Sequence, residues 1–301
     1  MNITVSGLDN SSGNSKIRSA AVAGQFYDGN PARLQANIDK MREEIGEVEP
    51  VDSVRALILP HAGYVYSGKA ALAAILKAAG NKYRRAVIMA PSHRVGFEGV
   101  AMCSYEAYAT PLGDVAVDLE AVQALQDQSG VLLQTIDRAH DNEHALEVEV
   151  PLLQSVFEDL PIVPLITGYV EVPAARKLAE KMKYLWNSET LWVISSDFTH
   201  YGHGFGYVPF RNNIPERLRE LDLGAAGYIT KCDLEGFAGY LDRTGATICG
   251  RSAIMVLLAM IEKHGGINGE LVEYYTSGDV TGDWSRCVSY ASVLFKDDKE
   301  G

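Results

Sequence analysis

The sequence predicts an α/β fold, in which a central, largely parallel sheet is flanked by helices. Two observations favour it: apolar runs with the length of buried strands alternate with helical patterns along the chain, and nearly half of the 301 residues (47%) are hydrophobic, enough for a sizeable core. A third is that several apolar runs stop at a polar segment containing histidine, as expected at the carboxyl ends of strands in such a sheet. Because no linker, composition shift or internal repeat divides the chain, we predict a single domain over residues 17–296.

The first half alternates strands and helices. The segment 32–45 is predicted to be a helix because Leu34, Ile38 and Met41 share one face at helical spacing, after a turn that contains Pro31. The other predicted elements of this half are an apolar stretch at 20–27, strands at 54–59 and 85–90, a helix at 69–79, extended pieces at 99–108 and 115–117, a helix at 118–127 and a strand at 131–133.

The second half continues the pattern after one ambiguous stretch. Residues 139–149 carry mixed signals, and we assign a helix because Asp141 or Asn142 can cap it. A helix at 173–186 is indicated because a proline opens it. The remaining predicted elements are strands at 162–166, 191–195, 270–276 and 286–296, a loop at 201–213, and helices at 215–230, 233–243 and 251–263.

Charge and composition exclude several classes of function. The net charge of −12 argues against nucleic-acid binding, which needs a basic face. No apolar run approaches the ~18 residues of a membrane span, and the polar residues 1–16 carry no secretory signal, so they are predicted to be a flexible leader. The four cysteines form no CxxC pair, which favours free thiols and a cytoplasmic location. Residues 297–301 are predicted to be a charged tail.

A GxxxxGK match at 63–69 is not interpreted as a phosphate-binding loop. Residue 70 is alanine, so the hydroxyl that should hold Mg²⁺ is missing, and two tyrosines occupy a loop whose backbone would have to wrap phosphate.

His61 and His93 are the strongest pair of candidate metal ligands. His61 lies two residues after one predicted strand and His93 three residues after the next, and a strand end gives a ligand the rigid support that fixes its direction. Imidazole is also the commonest metal ligand in proteins. Either histidine alone could simply cap a loop, but the repetition favours a site.

A third strand exit carries Asp197 and His200, spaced i, i+3. If a helical turn begins there, both side chains point to one side, where Asp197 could orient a ligand, bind metal or partner His200. Capping by Ser195, Ser196 and Asp197 is the alternative interpretation, and it is compatible with function.

Cys249 precedes the predicted helix at 251–263, next to Arg251. A thiol at a helix N-terminus near an arginine should have a lowered pKa and be available as a metal ligand or redox group. Arg251 could hold a substrate carboxylate or phosphate, or pair with an acid of its own chain. His144 could be a proton carrier, whereas Glu143 and Glu147 could be a solvated face.

The chain resembles the Memo family from about Ala20 to Phe295. The similarity is carried, in family order, by His61-Ala-Gly-Tyr, Pro91-Ser-His93, Glu143-His144-x-Leu-Glu147, Ser195-Ser-Asp197-Phe-x-His200 and Thr247-Ile-Cys249-Gly-Arg251. The resemblance implies the fold of class III extradiol dioxygenases, a mixed sheet flanked by helices with a metal pocket at one edge. It also implies a gene neighbourhood shared with AMMECR-type and radical-SAM proteins as partners.

The resemblance further implies one iron or copper ion, with zinc less expected, held by His61, His93 and Cys249, and Asp197 and His200 in the same pocket. Extradiol enzymes use a carboxylate as third ligand where this chain offers a thiolate, and a softer ligand favours Cu(I).

These observations together predict a cytoplasmic, mononuclear non-haem metal oxidoreductase acting on a small molecule or peptide. His200 would be the general acid or base, and Tyr64 or Tyr66 would close the pocket. Two alternatives stay open: a non-catalytic module that binds phosphotyrosine-like peptides with Arg251 as anion anchor, and a hydrolase in which zinc activates water.

Overall fold

The computed structural model describes residues 16–298, so the predicted leader, except residue 16, and the end of the predicted tail lie outside the described residues. The described residues form twelve strands: β1 (Ile17–Arg18), β2 (Val54–Leu59), β3 (Arg85–Pro91), β4 (Val100–Met102), β5 (Ala107–Thr110), β6 (Gly113–Ala116), β7 (Leu133–Thr135), β8 (Ile162–Thr167), β9 (Thr190–Ser195), β10 (His200–Gly202), β11 (Ile267–Thr276) and β12 (Arg286–Asp297).

The same residues form eleven α-helices: α1 (Pro31–Ile45), α2 (Tyr64–Ala78), α3 (Leu119–Gln126), α4 (Asp137–Asp141), α5 (His144–Glu147), α6 (Glu149–Gln154), α7 (Val172–Met182), α8 (Ile214–Thr230), α9 (Leu234–Thr244), α10 (Arg251–His264) and α11 (Ser277–Thr281). Within the described part of the chain, no helix has both the length and the apolar character needed to cross a membrane.

A nine-stranded mixed sheet forms the centre of the fold. Its strand order is β10-β12-β2-β9-β3-β8-β4-β7, with β11 paired to the other side of β12. The four middle strands β2, β9, β3 and β8 run parallel, whereas β12 is antiparallel to β2 and β4 is antiparallel to β8. The predicted α/β class with a mixed, largely parallel sheet is therefore confirmed.

Helices cover the sheet because its middle strands are apolar on both faces. All six residues of β9 are buried, as are all six of β8. Helix α2 packs on β2, β11 and β12 and is backed by α1, whereas α10 packs on β3 and β9 and is backed by α7 and α9. This arrangement is the one that continuous apolar strands require.

Most predicted strands and long helices are confirmed to within a few residues, but α2 is a correction. The helix begins at Tyr64, where the sequence analysis placed a loop up to residue 68. Residues 64–69 are thus helical, so the GxxxxGK match is no phosphate-binding loop. The start of α2 contains the two tyrosines and a glycine, and tertiary contacts stabilise it. Tyr64 is buried, and its N–H donates to the Phe26 carbonyl at 2.8 Å.

Two further differences concern local structure. Residues 139–149 are mostly helical, as parts of the short helices α4 to α6, but the predicted cap is wrong: α4 ends at Asp141, and the Glu143 side chain caps α5. Pro151 falls within α6. The helical turn considered after β9 is absent: residues 196–199 are irregular and lead into β10. Hydrogen bonds to β12 hold this segment extended, since the Phe198 N–H donates to Ser289 O and the Ser289 N–H donates to Thr199 O. The short elements β1, β10 and α11 were not predicted, and β10 takes up the start of the predicted loop at 201–213.

The segment before α1 is tied to the centre of the fold by a buried carboxylate. Glu147 accepts the N–H groups of Ala21 at 2.7 Å and Val22 at 2.9 Å and the Tyr27 hydroxyl at 2.6 Å, and it pairs with the buried Arg18. The Glu147 side chain is therefore structural, not a solvated face, and it fixes the segment that carries Phe26.

Candidate metal centre

The centre forms where three neighbouring parallel strands end. Strand β9 lies between β2 and β3 in the sheet, so the segments that follow them emerge side by side. His61 follows β2, His93 follows β3, and Asp197 follows β9 between them. The register explains why residues more than a hundred positions apart meet, as expected for the carboxyl edge of an open α/β sheet.

Three histidines converge at this edge. His61, His93 and His144 each offer one ring nitrogen, and these atoms all lie within 4.8 Å of one another, close enough to hold one metal ion. The ring centroids of His61 and His93 are 5.3 Å apart, and those of His93 and His144 are 4.7 Å apart. His61 is buried, whereas His93 and His144 are more open.

Glu143 holds two of these imidazoles by their Nδ1 atoms. Its Oε1 lies 2.9 Å from His93 Nδ1 and 3.2 Å from His144 Nδ1, and its Oε2 accepts the His93 N–H at 2.6 Å. These hydrogen bonds outweigh the burial of Glu143, and the pKa of its carboxyl falls well below the ordinary value. With Nδ1 occupied on both rings, Nε2 is the atom left for a metal, which is the usual arrangement of metal-binding histidines.

Ser195 holds His61 in the same way. The Ser195 hydroxyl lies 2.8 Å from His61 Nδ1, donates to the Ala145 carbonyl at 2.6 Å, and lies 2.9 Å from Glu149 Oε1. A hydroxyl has one proton to donate, so His61 Nδ1 and Glu149 must be the donors in the other two contacts. Glu149 meets this requirement because complete burial raises the pKa of its carboxyl well above the ordinary value, which keeps it protonated. His61 therefore also carries its proton on Nδ1 and turns Nε2 to the centre.

Cys249 contacts His61 from the N-terminal side of α10, but among the described residues the group whose donor atoms all lie within 4.8 Å of one another is His61, His93 and His144, without Cys249. Its Sγ lies 3.3 Å from His61 Nε2 and 3.5 Å from the Asp197 carbonyl oxygen. The predicted lowering of the thiol pKa is wrong for the metal-free site: burial and the Asp197 carboxylate raise the pKa of Cys249. The reason is local: α10 begins where Gly250 packs tightly against Ser195 and Ser196 at the end of β9, and this packing buries the thiol.

Asp197 is buried between the histidine cluster and the cavity in front of it. Its Oδ1 accepts the His61 N–H at 2.8 Å, and its Oδ2 is 4.0 Å from His61 Nε2. Burial raises the pKa of this carboxyl to about 7, although the hydrogen bonds from the backbone oppose the shift. Asp197 can thus hold or release a proton near neutral pH.

His200 lies at the edge of the same site. Its Nδ1 is 3.0 Å from the Phe198 carbonyl and 3.1 Å from the Thr247 carbonyl, so Nδ1 carries the proton and Nε2 has a free lone pair. Burial lowers the pKa of the imidazole. Its ring packs edge-on against Phe205 at 5.2 Å.

An open cavity of about 520 Å³ lies in front of the histidines. His144 and Asp197 form part of its wall together with aromatic side chains, which are Phe26, Tyr66, Phe205 and Tyr290. Phe26 also packs on the His144 ring at 4.7 Å. The structure therefore places Tyr66 at the cavity, as predicted.

Tyr64 and Arg251 lie elsewhere. The Tyr64 hydroxyl is buried and donates to the Val148 carbonyl at 2.8 Å, and its side chain does not line this cavity. Arg251 lies 3.8 Å from Asp242 on the surface and is likewise absent from the cavity wall. The structure thus gives no support for either residue as a substrate contact in this cavity.

The sequence reasoning missed several residues that shape the site. It left open that Glu143 is only a solvated face, although its position directly before His144 was a signal for a role at the site. It gave no role in the site to Glu149, Phe26 or Arg286, and it did not consider that Ser195 could support His61. These residues reach the site through the packing of distant segments, which nothing in the local sequence marks.

The chain matches the sequence profile of the Memo-like protein family over residues 18–294. A MEMO1 family protein of Methanosarcina acetivorans is 34% identical over 285 residues, which cover 93% of this chain and 99% of that protein. A MEMO1 family protein of Thermococcus onnurineus is 30% identical over 291 residues with the same coverage, 93% and 99%. The protein memo-1 homolog of Caenorhabditis elegans is 33% identical over 293 residues, covering 92% of this chain and 82% of its own.

A solved structure shares the fold. The crystal structure of the uncharacterized protein JW3007 from Escherichia coli K12 aligns with a TM-score of 0.51 and 15% identity, covering 80% of this chain and 99% of that one. At this identity the likeness concerns the fold alone.

Proposed function

Since the chain belongs to the Memo-like protein family, and its three histidines converge at the sheet edge, we propose that it is a metal-dependent oxidoreductase. In this proposal His61, His93 and Cys249 hold one iron or copper ion, and His144 faces the substrate cavity. The observation that carries the proposal is that one ring nitrogen of each of His61, His93 and His144 lies within 4.8 Å of those of the other two, while a neighbouring oxygen lies within hydrogen-bonding distance of every Nδ1 and leaves Nε2 as the free ring nitrogen.

The donor set fits a transition metal. Imidazole nitrogens and a thiolate suit iron and copper, whereas calcium or magnesium prefer oxygen ligands. The Cys249 Sγ is 3.3 Å from His61 Nε2, a separation that two ligands of one ion can have. When bound, a redox-active ion would supply electron exchange with oxygen and an aromatic or chelating substrate.

The protein's own residues would handle protons and orientation. Asp197, with a pKa of about 7, can accept a substrate proton at the cavity wall. His200 offers a neutral Nε2 as a second acceptor, because its Nδ1 proton is committed to backbone carbonyls. The aromatic walls would exclude water from a flat substrate, and Tyr66 lies at the opening.

Metal analysis of anaerobically purified protein tests the proposal. The wild type should contain iron or copper, and should consume oxygen when given aromatic diols such as catechol. Cys249→Ala should lose metal and oxygen uptake while the circular dichroism spectrum is unchanged. Cys103→Ala is the matched control, because Cys103 is a buried free cysteine that follows β4 and is not part of the histidine cluster. This variant should retain both the metal and the oxygen uptake.

A different result in these variants would contradict the ligand set. Full metal content in Cys249→Ala together with its loss in His144→Ala would show that the third ligand is the histidine, and would remove the thiolate from the proposal.

A zinc hydrolase is the second candidate, favoured by one observation. His61, His93 and His144 alone form a cluster, and three histidines with an open position are a set by which zinc activates water. This candidate predicts zinc in the purified protein and no oxygen consumption with any aromatic diol, which separates it from the oxidoreductase.

A further inference from the structure

Arg286 is a cationic side chain in the wall of the cavity in front of the histidines, and the sequence analysis gave it no role. It begins β12, where every second residue shares one face of the strand. Arg286, Val288 and Tyr290 follow this spacing, and all three line the cavity. The strand therefore aims the arginine at the space that His144 and Asp197 also face.

The guanidinium of Arg286 is held by a ring and not by an acid. It lies 4.9 Å from the centroid of Phe205, a cation–π distance. Several other arginines pair with carboxylates, for example Arg55 with Asp297 at 2.7 Å. Among residues 16–298, no Asp or Glu carboxylate lies within 4.0 Å of the Arg286 guanidinium, so its charge is open to a ligand.

The backbone around Arg286 is fixed by a close approach of two strands. Gly202 of β10 pairs with Arg286 and has φ +129°, a region that disfavours other residues. A Cβ at Gly202 would lie 2.5 Å from the Ser285 carbonyl oxygen, so only glycine allows this pairing. The same β10 segment leads into Phe205, so the strand that fixes the arginine also supplies the ring under it.

The other charged groups of the cavity leave room for an anion. Asp283 also lines it, but its Oδ1 accepts both the N–H of Ser285 at 2.9 Å and the Ser285 hydroxyl at 2.6 Å. Asp197 lies at the inner end beside the histidines. Among the described residues that line the cavity, Arg286 is the one Lys or Arg, in a protein whose net charge is −12.

We infer that Arg286 is the anion anchor of this cavity, and that the substrate is a small aromatic compound bearing an anionic group. The aromatic walls would hold the ring, and the guanidinium would bind the carboxylate or phosphate at the mouth while the ring extends toward His144. This inference rests on the proposed function for what happens to the ring, but the anion site itself does not require a metal.

The size of the cavity favours a small molecule. About 520 Å³ falls in the usual range of small-ligand pockets, which is about 300–1,000 Å³. Arginine also suits carboxylate and phosphate because its planar donors can bind two oxygens at once.

Calorimetric titration of the full-length protein with benzoate, benzamide and phenyl phosphate tests the inference. Benzoate should bind about tenfold tighter than the neutral isostere benzamide, as a charge-assisted hydrogen bond predicts. Arg286→Met should reduce this preference to less than about twofold, and Arg286→Lys should retain part of it. Arg251→Met is the matched control, since that arginine lies outside the cavity wall, and it should keep the full preference.

Other results would overturn the inference. Equal affinity for benzoate and benzamide, a preference that survives in Arg286→Met, or one lost in Arg251→Met would each contradict it. Benzoate and phenyl phosphate distinguish a carboxylate from a phosphate ester as the natural anion, and tight binding of either supports the anchor.

A metal-free variant separates this inference from the proposed function. His61→Ala should lose the metal but keep the preference for benzoate. If that preference disappears with the metal, the anion binds to the ion and the role of Arg286 is wrong. If the preference remains while no variant ever contains iron or copper, the anchor stands and the proposed function fails.

Discussion

At the residue scale, the site is built by hydrogen bonds behind the histidines more than by the histidines themselves. Glu143 occupies the Nδ1 atoms of His93 and His144, Ser195 occupies that of His61, and both residues are buried. Such partners fix ring orientation and tautomer before a metal arrives. His61 and His93 could be predicted from strand exits, but the contacts of Glu143 and Ser195 could not, because they depend on how the start of α5 and the end of β9 pack behind the rings.

Removing the carboxylate of Glu143 should weaken the centre while the fold remains. Glu143→Ala frees the Nδ1 atoms of His93 and His144, so we expect metal affinity to fall about 10- to 100-fold. Competition with a chelator of known affinity measures the change. Glu158→Ala, at an exposed acid, is the control and should bind metal like the wild type; an equal loss in both variants would contradict the role of Glu143.

Glu149 should make the stability of the metal-free protein depend on pH. Complete burial raises its pKa in the folded state, so it stays protonated there but ionises on unfolding above its ordinary pKa of about 4.3. Unfolding then releases a proton, and the free energy of unfolding falls as pH rises, by up to roughly 1.4 kcal/mol per pH unit.

Glu149→Gln cannot ionise, yet its amide can still donate to Ser195. The variant should therefore gain stability relative to the wild type as pH rises from 5 to 8, as measured by urea unfolding. A difference between the two proteins that stays constant with pH would show that Glu149 is ionised in the fold.

At the element scale, the start of α10 must lie close to the end of β9 for Cys249 to reach the centre. A Cβ on Gly250 would lie 2.4 Å from the Ser196 Cβ and 2.8 Å from the Ser195 carbonyl oxygen. The sequence predicted α10 to within one residue at its C-terminal end, but it could not predict this contact. The prediction of a lowered thiol pKa was wrong for the same reason. The close packing that places Cys249 at the start of α10 also buries its thiol, and burial raises the pKa.

Gly250→Ala should lower both stability and metal binding. The added methyl group has no space against β9, and overpacking of this kind costs about 1–3 kcal/mol in the free energy of unfolding. Gly227→Ala in α8 is the matched control: nothing lies within 4 Å of its Cβ position, so it should gain about 0.5–1 kcal/mol. Denaturant unfolding of both variants checks the signs, and a neutral Gly250→Ala would contradict the close approach.

At the scale of the whole molecule, the parallel order β2-β9-β3 is what assembles the site. Alternating strand and helix patterns predicted the α/β class, and histidines at strand ends predicted the edge. The strand order itself does not follow from those patterns, because sequence-adjacent strands are not always neighbours: β3 pairs with β8 and β9, and β9 pairs with β2. The cavity, which also takes residues from β12, was beyond local sequence reasoning.

A bound metal should stabilise the molecule as a whole, because its ligands come from segments at 61, 93 and 249 that separate on unfolding. With free metal at 100 times its Kd, stability should rise by about 2.7 kcal/mol. Thermal unfolding with added iron or copper measures this rise, and His61→Ala should show none. An equal rise in His61→Ala would place the stabilising ion elsewhere.

X-ray absorption spectroscopy of the metal-loaded protein tests the central claim most directly, because it reports which atoms surround the ion. Nitrogen neighbours from imidazoles together with one sulfur neighbour are predicted for the wild type, and the sulfur contribution should vanish in Cys249→Ser and persist in Cys103→Ser. A fully loaded wild type whose ion has only nitrogen and oxygen neighbours, or whose spectrum is unchanged in His61→Ala, would contradict a centre held by His61, His93 and Cys249.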